Sequence, residues 1–158
     1  MSNEVFQLVQ AYQNISTGNN ELINLATQEI SALLSNPSII NSLLQIIDES
    51  DVDYIRKQAT ISLKFAISTF KDNFSVEEVQ NLLYLILRYL SNEKFENIQS
   101  IIFDIIYILI SDDTFQILSS FIQECTSDSL VARLALTFSD DDIEQIFPFL
   151  EPIIIRLL

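Results

Sequence analysis

One glycine, Gly18, and three prolines punctuate a chain of 158 residues. So few helix breakers, set among abundant Leu, Ile and Gln, favour long helices. The same scarcity excludes glycine-rich phosphate cradles, because neither a P-loop nor a dinucleotide-binding fingerprint is possible with a single glycine.

The chain reads as helix after helix separated by short polar turns. Asn20 precedes the run Glu21–Ser35 and is placed to cap it. Asn36-Pro37 closes that helix and opens the next, with Pro37 at the first helical position. Ser75-Val76-Glu77-Glu78 is a capping box, since the Glu78 carboxylate can reach back to the Ser75 amide. Asp112-Asp113, Ser127-Asp128 and Asp140-Asp141-Asp142 mark further starts, where acids complement the positive end of a helix. Helices are predicted to begin near residues 4, 20, 37, 53, 75, 94, 113, 128 and 141. Taken in pairs, the first helices begin near 4, 37, 75, 113 and 141, at intervals of 33, 38, 38 and 28 residues. These intervals have the size of a helical-hairpin repeat of the HEAT or armadillo kind.

The apolar phase agrees. In the fourth helix Ile55, Ala59, Leu63, Ala66, Ile67 and Phe70 form one stripe, and Tyr54, Ile61 and Phe65 form a second. Two stripes call for a partner helix on one side and a neighbouring repeat on another. The sixth helix is apolar nearly all round, through Ile98, Ile101, Ile102, Ile105, Ile106 and Leu109, and a closed bundle could bury such a helix as well as a stack of repeats. The predicted fold is all-α: a right-handed α-α superhelix of about four hairpins plus one extra helix, in a single domain over 1–158. Its last helix ends in an apolar run, Ile153 to Leu158. The chain is therefore expected to be the N-terminal part of a longer array, with that run as a surface for self-association.

Composition narrows the function. Apolar residues make up 49% of the chain, ample for a core. There is no His, so no histidine-based triad, zincin motif or general base is available. One cysteine, Cys125, permits neither a disulfide nor a cysteine zinc site. The acidic run Asp48, Glu49, Asp51, Asp53 lacks the glycine and the closing glutamate of a calcium loop. No enzyme, cofactor or metal is expected. A formal net charge of −14 disfavours nucleic acid and suits a basic protein partner. The opening Met1-Ser2-Asn3-Glu4-Val5 has no basic n-region, and the stretch Ile98–Ile110 is too short to span a bilayer, so no membrane role is expected.

The segment Leu33–Lys64 reads LLSNPSIINSLLQIIDESDVDYIRKQATISLK. With Asn36-Pro37, then Leu43-Leu44-Gln45-Ile46, then Arg56, Ala59, Ile61, Leu63 and Lys64, it resembles the N-terminal HEAT repeats of the importin-β (karyopherin-β) family. The opening helix fits through Val5, Leu8, Val9 and Tyr12. Phe65 stands where many members have Asn, and Phe70 or Phe74 where many have Trp. The resemblance covers roughly residues 4–74 and implies a transport receptor of cytoplasm and nucleus that binds Ran-GTP on its concave face. It also implies grooves between outer helices for nucleoporin Phe-Gly repeats, and later repeats for cargo, here expected to be basic.

Several residues are candidates for the partner surface. Arg56, Lys57, Lys64 and Lys71 are half of the eight cations, all in one helix. Lys57, Thr60, Lys64 and Lys71 share one polar side at helical spacing. A strip facing an acidic loop of a partner such as Ran is one reading, and a solvated helix face is the other. Asp104, within an apolar helix, must be paired or point to water, and Arg133 could approach it or bind a carbonyl. The aromatics Phe6, Tyr12, Tyr84, Tyr89, Phe115 and Phe121 fall on first helices as core or as groove walls. Beside the transport reading stand a generic HEAT or armadillo scaffold and a VHS- or ENTH-like adaptor domain.

Overall fold

The computed structural model describes residues 2–138 together with 144, 147, 148, 150, 151 and 155. Among these the chain is all-helical, with eight α-helices and no strand: α1 Asn3–Ser16, α2 Asn20–Leu33, α3 Ile39–Glu49, α4 Asp53–Phe70, α5 Val76–Asn92, α6 Glu96–Leu109, α7 Phe115–Glu124 and α8 Asp128–Ala135. A short 3₁₀ turn, Lys71–Asn73, follows α4. The ninth helix expected from residue 141, Asp140-Asp141-Asp142 and, apart from Ile155, the run Ile153–Leu158 lie outside the described residues. No described helix is long and apolar enough to cross a membrane.

Side-chain caps fix half of the eight described helix starts. Ser75 and Glu78 form the capping box in full: Ser75 Oγ accepts from the Glu78 amide at 3.2 Å, and Glu78 Oε2 accepts from the Ser75 amide at 2.7 Å. Ser127 caps α8 by accepting from the Leu130 amide at 3.2 Å. Asn19, not Asn20, caps α2, because its Oδ1 accepts from the amides of Glu21 and Leu22. Pro37 lies before α3 in a turn of three-residue hydrogen bonds, with the Ile39 amide donating to the Asn36 carbonyl. The start of α7 also differs from expectation. Asp112 and Asp113 are exposed and do not cap it. Thr114, wholly buried, holds the turn instead, its Oγ1 accepting from the Ser111 amide at 2.8 Å and donating to the Leu109 carbonyl at 3.0 Å. Gly18 is the one described residue with positive φ, at 73°, and joins α1 to α2.

The chain divides into two compact units, 1–72 and 73–158. In the first, α1 packs on α2, α3 and α4, and α3 packs on α4. Val5, Leu8 and Tyr12 of α1 meet a core built from Leu43 and Ile46 of α3 and Ala59, Leu63, Ala66 and Ile67 of α4. Full burial of each large aliphatic side chain contributes about 1.5–3 kcal/mol. Two side-chain bonds fix the register: Ser42 Oγ donates to Glu4 Oε2 at 2.9 Å, and Tyr12 Oη donates to Ser62 Oγ at 2.8 Å. Since Glu4 opens α1 and Ser42 lies in the first turn of α3, those helices lie side by side with their starts together. The predicted first stripe of α4 is buried over Ile55–Ile67. In the second stripe Ile61 and Phe65 are 43% and 57% exposed.

In the second unit α5 packs on α6 and on α7. Gln80 Nε2 donates to the Asp113 carbonyl at 2.8 Å. That bond ties the first turns of α5 to the residue just ahead of α7, again bringing two helix starts together. Ile98, Ile102, Ile105, Ile106 and Leu109 of α6 are buried, and Asn97, Ser100, Asp104 and Tyr107 form its exposed edge.

Candidate functional site

The cationic helix α4 departs from the expected strip. Thr60 is only 1% exposed. Its hydroxyl donates to the Arg56 carbonyl at 2.8 Å, satisfying its polarity inside the helix, so the side chain buries as a methyl group would. Thr60 is therefore removed from any contact surface. Arg56 is half-buried and straps the turn between α3 and α4: Nη1 donates to the Ser50 carbonyl at 3.1 Å, and Nη2 pairs with Asp53 Oδ1 at 2.9 Å. Lys57 and Lys64 are half-buried, and Lys71 is exposed in the 3₁₀ turn beyond the end of α4. The two half-buried lysines are two turns apart, and the third cation is no longer on the helix.

Asp104 is exposed on α6. Arg133 of α8 takes the carbonyl alternative. Its Nη1 donates to Gln99 Oε1 at 2.6 Å, its Nη2 reaches the Glu96 carbonyl at 3.4 Å, and its guanidinium lies 5.5 Å from the centre of the Phe103 ring. Gln99 is buried and passes the connection on, its Nε2 donating to the Glu93 carbonyl at 2.7 Å. This chain of bonds joins α8 to α6 and to the turn after α5. It is a packing network, and no buried side-chain polar atom among the described residues lacks a partner.

A groove of about 430 Å³ lies between α5 and α7. Tyr84, Leu87, Arg88 and Ser91 form one wall, and Gln116, Ile117, Ser120, Phe121 and Glu124 form the other. The volume is in the range of clefts that hold ligands or peptide side chains. The α5 residues follow the i, i+3, i+4, i+7 pattern of a single helix face. Tyr84, 66% exposed, and Phe121, half-buried, were legible as first-helix aromatics. Leu87, Ile117, Ser120 and Glu124 were not, because a groove depends on which helix lies alongside. Of the other first-helix aromatics, Tyr12 is core, Phe6 is exposed, and Tyr89 and Phe115 are half-buried.

Among the described residues, the Tyr12 hydroxyl and the Glu78 carboxyl are shifted. Burial pushes the Tyr12 hydroxyl up to about 12, partly offset by its bond to Ser62. The Ser75 amide and hydroxyl hold the Glu78 carboxyl below its ordinary range. Both belong to packing or capping, and neither lines the groove.

Comparison with protein-family models, with curated proteins and with solved structures gives no match for this chain.

Proposed function

We propose that this chain is a non-enzymatic protein-interaction scaffold of stacked helical hairpins. The observation that carries the reading is the side-by-side placement of successive first helices within each unit, α1 with α3 through Glu4–Ser42 and α5 with α7 through Gln80–Asp113. Stacking of this kind presents long helix faces to partners, as repeat arrays do.

The narrower form of the proposal is an importin-β-like receptor segment that binds Ran-GTP and releases cargo by differential binding. It rests on the sequence of Leu33–Lys64. The burial of Thr60 takes it off the contact, which Lys57, Lys64 and Lys71 would carry, with Asp104 as a polar candidate on α6. Nucleoporin Phe-Gly repeats and a basic cargo belong to this narrower form.

The test is binding of the chain to Ran loaded with GTP and with GDP, at low and moderate salt. Selective binding of the GTP form, weakened by Lys64→Glu, supports the transport reading. Equal or absent binding of both forms rejects it and leaves the scaffold reading, which predicts nucleotide-independent partners.

A further inference from the structure

We propose that the groove between α5 and α7 receives a short peptide segment of a partner protein, an apolar anchor followed by lysine or arginine. The proposal goes beyond the scaffold reading and is independent of Ran.

Length comes first. The wall residues run from Tyr84 to Ser91 on α5 and from Gln116 to Glu124 on α7. At 1.5 Å per residue these are troughs of about 10–12 Å. An extended peptide advances about 3.3 Å per residue, so three or four residues fill the trough. The floor is apolar, through Leu87, Ile117 and Phe121, and suits one or two large side chains. The rim hydroxyls of Ser91 and Ser120 donate to the Leu87 and Gln116 carbonyls, so they place no unsatisfied donor over the floor.

Charge selects the rest of the peptide. Glu124 is the last residue of α7, where the helix end already carries partial negative charge. No basic residue stands in that last turn, and Glu124 is exposed with no ion pair among the described residues. An acid at a helix C-terminus is a local electrostatic conflict, and such conflicts are expected at functional positions. A cation beside Glu124 would relieve both the carboxylate and the helix end. The wider field agrees, because residues 73–158 carry 14 acidic side chains against four cations. Arg88, the one cation of the groove wall, keeps its charge and lies with its guanidinium 5.4 Å from the centre of the Tyr89 ring. Against the acidic excess of residues 73–158 an acidic peptide would meet repulsion, and a neutral one would gain only the floor.

The experiment titrates the ¹⁵N-labelled full chain with three peptides that share a Phe-Leu anchor and continue with two lysines, two glycines or two glutamates. The lysine peptide is expected to shift the amides of Ser91, Ser120 and Glu124 saturably and to bind about fivefold tighter than the glycine peptide. Glu124→Gln should remove that preference, and Ser120→Arg should block the anchor. Both positions are exposed, and unchanged helical circular dichroism would confirm that the variants fold. No saturable shift up to millimolar lysine peptide, equal binding of all three peptides, or shifts confined to another face would each overturn the proposal.

Discussion

The hydroxyl of Tyr12 donates to Ser62 Oγ at 2.8 Å, joining α1 to α4 across 50 positions of sequence. Removing it with Tyr12→Phe leaves Ser62 buried without that partner. The expected loss is about 1–2 kcal/mol in chemical denaturation at neutral pH. The pH dependence has a definite sign. Burial raises the folded hydroxyl from 10.0 to about 12. Its contribution is complete below pH 10 and is lost as pH rises from 10 towards 12, because the unfolded chain ionises first. About two units correspond to roughly 2–3 kcal/mol. Stability curves from pH 9 to 12 should fall for the native chain and flatten for Tyr12→Phe. Parallel curves would refute this account.

Thr114→Val keeps the shape of a wholly buried side chain and removes its hydroxyl. The Ser111 amide and the Leu109 carbonyl then lose their partner at the start of α7. A destabilisation of about 1–3 kcal/mol is expected. Amide exchange should accelerate first at Ser111, before the body of α5. Unchanged exchange there would mean that the turn is held elsewhere.

Arg133→Lys should behave more like Arg133→Met than like the native chain. A lysine offers no planar fork to reach the Gln99 side chain and the Glu96 carbonyl together, and it stacks less well on Phe103. Both variants should lower the midpoint of thermal unfolding by similar amounts. Full rescue by lysine would show that charge alone matters at this position.

Ser75→Ala removes the hydroxyl half of the capping box and should destabilise the chain by about 0.5–2 kcal/mol. The Glu78 carboxyl is held low by Ser75, so its contribution is present above its ordinary range and fades as pH falls through the lowered value. Acid titration followed by NMR should find the Glu78 midpoint moved upward in Ser75→Ala. An unmoved midpoint would refute the reciprocal cap.

Much of the helical layout was legible in the sequence. Starts predicted near 4, 20, 53, 75 and 128 lie within one residue of α1, α2, α4, α5 and α8, and those near 37, 94 and 113 within two. The reason is local: capping residues and apolar phase are properties of neighbouring positions. The candidate surfaces were less legible. Thr60 looked like part of a polar strip, but a hydroxyl that bonds the carbonyl one turn back is indistinguishable from an apolar group to its neighbours. Arg56 looked like a free cation, but Asp53 and the Ser50 carbonyl were close enough to claim it. The groove depends on α5 meeting α7, whose residues are more than twenty positions apart, and no spacing rule on either helix encodes that meeting.

Gly18 has a consequence for how such a chain can vary through descent. Among the described residues only this position uses a backbone conformation that side chains disfavour, and a methyl group there would meet open space. The other described turns keep ordinary right-handed or extended geometry, so away from the hydroxyls of Ser75, Thr114 and Ser127 many replacements are tolerated. Connecting segments can thus drift through successive substitutions while the helices they join keep their places. What inheritance must hold steady in this protein is the buried face of each helix and the few hydroxyls that hold its ends.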